Sequence, residues 1–198
     1  MALKPTTRLA LLLAAWFAIP LGVAGAQAVD VRAISFGIGG GVSVPFSAAR
    51  HVYRNGFNGG AFVRLDFGRV PWAVRADFSY QNFELQPGQI PALGQSGGGT
   101  GTLLGGIGSA QFYLRPGKIR PYLLAGAGAY AVRTEYDAQA LAAQSETRFG
   151  VRGGAGVLLT FGSLLLYAEG GVDHIMPPSG SAASDAVRAA PLTVGVVF

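Results

Sequence analysis

Between Phe149 and Asp173 the sequence alternates without a break: FGVRGGAGVLLTFGSLLLYAEGGVD. Phe149, Val151, Gly153, Ala155, Val157, Leu159 and Phe161 form one row; Arg148, Gly150, Arg152, Gly154, Gly156, Leu158 and Thr160 form the other. A period of two belongs to a strand, here with one apolar face and one small or charged face. Gly162-Ser163 suits a two-residue hairpin turn. Beyond it Leu164, Leu166, Ala168, Gly170 and Val172 continue the apolar row, while Tyr167, Glu169 and Asp173 continue the polar one. Pairing Phe161 with Leu164 across that turn puts Arg152 directly opposite Asp173. Such a hairpin needs a different solvent on each side, and the fold turns on which face is inside.

The same alternation recurs along the chain. Strands are expected at Ala33–Val44, Gly56–Phe67, Trp72 to about Glu84, Thr100–Leu114, Pro121–Arg133 and Pro191–Phe198, besides the two already described. In the second and third, Arg64 and Asp66 meet Arg75 and Asp77 on one face; the turn register leaves open whether opposite charges face each other directly or diagonally. In the fifth, Tyr122, Leu124, Tyr130 and Val132 read as the apolar side, with Ala125, Ala127, Ala129 and Arg133 behind them. Pairing Leu114 with Tyr122 would lay Tyr130 over Gly106 on the apolar face. The connections alternate between short turns and longer Gly-, Pro- or polar-rich loops at 46–55, 85–99, 134–148 and 176–190. Roughly eight strands joined in this way describe an antiparallel up-and-down meander.

Charged residues make up only 13 % of the chain and hydrophobic ones 50 %, against about 25 % charged in ordinary soluble domains. Yet no segment beyond the N-terminal leader approaches the roughly 18 consecutive apolar residues of a spanning helix. The 31 glycines disfavour helices, and without cysteine there is neither disulfide nor thiolate chemistry. Residues 1–26 read as a signal peptide: Lys4 and Arg8 precede the apolar run Leu9–Ile19, with small-residue cleavage sites after Ala26 or Ala28. Removing it takes two of 15 basic residues and leaves 13 against 10 acidic ones, a net +3. No nucleic-acid partner is expected from so small and scattered a surplus.

A water-soluble barrel would need Phe, Trp, Tyr and Leu from nearly every strand inside, more volume than a small barrel encloses. Gly, Ala, Ser and balanced charges suit a crowded lumen better. Aromatic residues also fall in two belts. Phe67, Trp72, Tyr122, Phe161 and Phe198 lie toward the short turns, and Phe57, Tyr80, Tyr130 and Phe149 toward the long loops. From Phe57 to Phe67, at roughly 3.3 Å per residue and a tilt of about 40°, the rise is about 25 Å, the height of a membrane barrel's apolar band. The apolar face therefore looks at lipid, and residues 29–198 are expected to form an eight-stranded antiparallel up-and-down transmembrane β-barrel, an all-β fold.

GVSVPF, GFNGGAFVRLDF, RPYLLAGAGAYAVR, LLYAEGGVDHI and the terminal LTVGVVF, in that order behind a signal peptide, resemble the small bacterial outer-membrane β-barrels. That group includes the outer membrane protein A transmembrane domain, the X and W proteins and the opacity-type antigens. The resemblance implies residence in the outer membrane with lipid and lipopolysaccharide as neighbours, and a C-terminal Phe198 read by the barrel-assembly machinery. The protein is expected to be monomeric and to have a structural or surface-interaction role. A narrow channel or transporter for small solutes is the alternative, and a lipid-modifying enzyme a more distant one.

The polar rows supply an expected lumen ion-pair network of Arg64, Asp66, Arg75, Asp77, Arg133, Arg148, Arg152, Glu169 and Asp173. An interior of about eight strands is filled by such side chains. No catalytic residue, cofactor or metal site is expected. His174 has the outward parity of a rim histidine in a lipid-active barrel, but Ile175 and Met176 stand where a serine partner is required. Gly39–Gly41 and the glycines at 153–156 lack the Lys-Ser/Thr and helix of a phosphate loop.

Overall fold

The computed structural model describes residues 33–47, 49–68, 70–86, 98–136, 144–177 and 186–198. The expected signal peptide lies outside them. Eight antiparallel strands close into a barrel in sequence order: β1 (Ala33–Pro45), β2 (Gly56–Asp66), β3 (Trp72–Glu84), β4 (Gly99–Tyr113), β5 (Ile119–Tyr136), β6 (Gln144–Phe161), β7 (Leu164–Ile175) and β8 (Val187–Val197). β8 closes on β1, with Phe198 and Phe36 exchanging backbone hydrogen bonds of 2.8 and 3.0 Å. The segment expected to be a loop at 46–55 carries one helical turn, Ala49–Val52.

One circuit of paired residues runs Ser35, Arg64, Arg75, Ser109, Gly126, Arg152, Asp173, Ala189 and Pro45, ten residues further along β1 than it began. A stagger of that size is what tilts the strands of a closed barrel, by about 40°. The circuit lies wholly on the inner face, so the register itself sends three arginines and an aspartate into the lumen.

The β6–β7 hairpin has the expected register, Phe161 with Leu164 and Arg152 with Asp173. Gly162 takes φ +62° at the first central turn position, the conformation a two-residue hairpin loop needs and one that a side chain disfavours. The outer face is apolar: Phe36, Ile38, Phe57, Trp72, Phe78, Phe149, Leu192 and Val194 all stand exposed on it. In water a surface so rich in large hydrophobic residues would be untenable; against hydrocarbon it is the matched surface.

β5 departs from expectation. Tyr113, not Leu114, pairs with Tyr122, and this slip of one residue turns every side chain of the strand to the opposite face. Tyr122 and Tyr130 are buried in the lumen at 1 % and 0 % exposure, so neither belongs to the aromatic belts. Tyr130 lies beside Gly105 and Gly150, where added Cβ atoms would stand 2.9 and 2.7 Å from its ring, and not over Gly106. Arg133 moves outward with the same slip; it is well exposed and paired with Glu135.

The strands are unequal. β5 and β6 each run 18 residues, and the segment expected as their connecting loop is ladder as far as Tyr136, against β4, and Gln144, against β5. At about 3.3 Å per residue and 40° of tilt they rise roughly 45 Å, well beyond an apolar band of about 25 Å.

Candidate functional site in the barrel lumen

Alternation delivers side chains inward from all eight strands, and polar ones gather in two clusters. In the first, Asp173 of β7, fully buried, accepts Arg152 Nε at 2.6 Å and Nη2 at 2.9 Å, a bidentate pair. It also accepts Gln81 Nε2 at 2.6 Å and the Tyr130 hydroxyl at 3.2 Å. Ser43 donates to Gln81 Oε1 at 2.9 Å, and Asn58 Nδ2 donates to Ser43 Oγ at 3.3 Å. Thr193 donates to Asn58 Oδ1 at 2.9 Å. The chain of bonds thus crosses the barrel from β5 and β6 to β8.

In the second cluster, Arg75 spans the lumen. Nη1 and Nη2 reach Glu169 at 2.8 and 3.0 Å, and Nε donates to Asp77 at 2.7 Å. Tyr122 donates to Glu169 at 2.8 Å and Ser109 to Asp77 at 3.0 Å. The Arg75 guanidinium lies 4.2 Å from the centre of the Phe62 ring, where a cation meets the negative face of the π-system. Toward the short turns, Arg64 Nε donates to Asp66 at 2.9 Å, and Tyr113 donates to the same carboxylate at 2.7 Å. Charges taken out of water persist only when partners replace the lost hydration.

Of the residues expected in the lumen network, Arg64, Asp66, Arg75, Asp77, Arg152, Glu169 and Asp173 come together there. The β2–β3 register answers the question left open by the sequence: Arg64 faces Arg75 directly. Each arginine takes the carboxylate two residues along its own strand, and Arg75 reaches Glu169 as well. Arg133 lies on the outer wall, as described above. Arg148 keeps the inward parity but pairs bidentately with Glu146 at 2.9 Å, in the part of β6 beyond Ile175, the last residue of β7. The one-residue slip of β5 brings Tyr122 and Tyr130 into the lumen, where the sequence pattern alone does not place them. Gln81, Ser43, Asn58 and Ser109 were legible as inward-facing, but their partners lie 15 to 135 residues away.

The lumen is also less polar than expected. Phe62, Tyr122, Leu124, Leu158, Tyr167 and Val197 pack into an apolar cluster toward the short turns. Phe83, Leu103, Ile107, Tyr130, Ile175 and Ala189 form a second toward the long loops. Between them lies a cavity of about 40 Å³ lined by Asn58, Arg75, Asp77, Ser79, Arg152 and Glu169, among others. That is room for two or three waters.

On the outside, Phe57 stacks on Tyr80 with ring centres 5.9 Å apart, and Trp72 on Phe112 at 4.8 Å. Phe57, Trp72, Phe149, Phe161 and Phe198 all stand exposed, with Phe67 at the β2–β3 turn. Belts of aromatic residues at both ends of an apolar wall define an integral membrane β-barrel.

The chain belongs to the outer membrane protein beta-barrel domain family, which matches residues 12–174, and it is a protein of the bacterial outer membrane. No curated protein sequence matches it. Among solved structures it is similar to Neisserial surface protein A, at 14 % identity and a TM-score of 0.60, covering 83 % of this chain and 96 % of that one. A major outer membrane protein from Thermus thermophilus matches at 14 % identity and a TM-score of 0.51, over 84 % and 99 %. At these identities the likeness is one of fold.

Proposed function

We propose that this barrel has a structural and surface-interaction role, with the lumen serving as a permanent plug. One observation carries the reading: the interior is filled by hydrogen-bonded ion pairs between two apolar clusters. Opening a path for ions would require breaking the Arg152–Asp173 or Arg75–Glu169 pair without a substitute partner, which is costly in a low-dielectric interior. The β5–β6 ribbon supports the surface-interaction part, since ladder of that length rises beyond the apolar band on the side of the long loops, the external side in such barrels. A catalytic role has no support at His174, whose Nδ1 is occupied as acceptor of Arg188 Nε at 3.0 Å.

The test is conductance of the purified protein in planar bilayers. The expected result is a quiet membrane. Reproducible single-channel steps, abolished by Arg152→Ala, would overturn the plug and favour a narrow channel.

A further inference from the structure

On the outer wall, at the end nearer the long loops, a basic pair stands where hydrocarbon gives way to the interface. His174 of β7 and Arg188 of β8 are direct partners in register. Val151 of β6 pairs with His174 from the other side, and Phe149 is one step further, its carbonyl accepting the Met176 N–H at 2.9 Å. The pair therefore sits at the level of Phe149, a member of the outer aromatic belt. Below it the wall is hydrocarbon: Val151, Val172, Leu192 and Val194 are all exposed.

Arg188 Nε donates to His174 Nδ1 at 3.0 Å, so that ring nitrogen is the acceptor and Nε2 is the ring's remaining donor. Two donor groups then remain for an outside ligand: the terminal amino groups of Arg188 and the Nε2–H of His174. Among the described residues these have no protein acceptor, and the outer face of β6, β7, β8 and β1 carries no carboxylate. The outward acid on neighbouring β5, Glu135, is taken by Arg133. A guanidinium at this depth cannot face acyl chains uncompensated. The described wall offers it no carboxylate, and an arginine fork fits phosphate oxygens better than any other lipid group.

We propose that Arg188 and His174 form a two-point site for the phosphate of a phosphorylated lipid headgroup in the outer leaflet. This rests on the reading of the apolar wall as lipid-facing. The two side chains are joined by register and by their own hydrogen bond, which uses Arg188 Nε and leaves its terminal amino groups for a ligand. Phe149 closes one flank with an aromatic surface, and the exposed aliphatic wall below accepts the chains of the same lipid molecule. Headgroup and acyl chains of one ligand are thus met by adjacent parts of one surface.

The experiment uses the full barrel in zwitterionic detergent, titrated with a bis-phosphorylated glycolipid of the lipid A type and followed by native mass spectrometry. Parallel titrations use the same glycolipid after enzymatic removal of its phosphates, and inorganic phosphate alone. Arg188→Gln and His174→Gln are compared with Arg133→Gln, which alters a basic residue of the same wall outside the site. The slower gel migration of each variant after boiling certifies its fold. The expected result is that the phosphorylated lipid binds about tenfold more weakly to Arg188→Gln, less weakened in His174→Gln, and unchanged in Arg133→Gln. Removing the phosphates should erase the difference between Arg188→Gln and wild type. Equal affinity of wild type and Arg188→Gln for the phosphorylated lipid, in folded protein, overturns the proposal. So does inorganic phosphate competing at concentrations similar to the lipid, which would make the site one for free anions. A variant series that all migrates identically boiled and unboiled would instead refute the barrel reading itself.

Discussion

Asp173→Ala removes an acceptor on which three buried donors depend. Arg152 loses its bidentate partner, and Gln81 and Tyr130 lose bonds of 2.6 and 3.2 Å. Stranding a buried charge costs about 3–5 kcal/mol, and each orphaned neutral donor adds about 1–3 when nothing replaces the acceptor. Arg152 borders the central cavity of about 40 Å³, so a water can approach its guanidinium and pull the total toward the lower end of that range. The expected cost is about 5 kcal/mol, a large share of the roughly 5–15 kcal/mol that stabilises a typical fold. Arg152→Ala should cost less, about 2–3 kcal/mol, because Asp173 keeps two donors. The double variant should be no worse than Asp173→Ala alone, since the arginine that would be stranded is gone. Urea unfolding in phospholipid vesicles, read by tryptophan fluorescence and by gel mobility without boiling, gives the three free energies. Arg152→Ala proving the more damaging change, or the single costs adding in the double variant, would refute this account of the pair. Additivity would mean the two side chains do not act on each other.

The inverted face of β5 makes two neighbouring glycines unequal. A methyl at Gly105 meets the Tyr130 ring and the Ser79 hydroxyl, while one at Gly106 meets open space. Gly105→Ala should therefore lose about 1–3 kcal/mol and Gly106→Ala should be close to neutral; the reverse order in urea melts would restore Tyr130 to the outer face. Trp72 is the single tryptophan of the described barrel, about half exposed on the outer wall and placed in the short-turn belt. Its fluorescence in vesicles should be quenched more by lipids brominated near the headgroup than by lipids brominated at the chain terminus. Strongest quenching from the chain terminus would move that belt to the bilayer centre and break the alignment of wall and membrane.

Sequence alone determined the strand count, the lipid-facing orientation and the β6–β7 register. Period two is local and survives whatever the rest of the chain does. A two-residue turn at Gly162-Ser163 leaves one way to pair the flanking strands, so Arg152 opposite Asp173 was legible before any coordinates. The β4–β5 connection, residues 114–118, is longer and imposes no such pairing, and there a slip of one residue inverts the whole strand. Volume misled as well. Bulky Tyr122 and Tyr130 read as lipid-facing beside a row of alanines, but a tyrosine can fill a lumen when its hydroxyl reaches a carboxylate, as both do. Nor could local pattern reveal that Arg75 crosses the barrel to Glu169, 94 residues away. Only closure of β8 on β1, with its ten-residue stagger, brings those two strands face to face. The same circuit decided which charges share the lumen and which, like Arg133, remain on the wall.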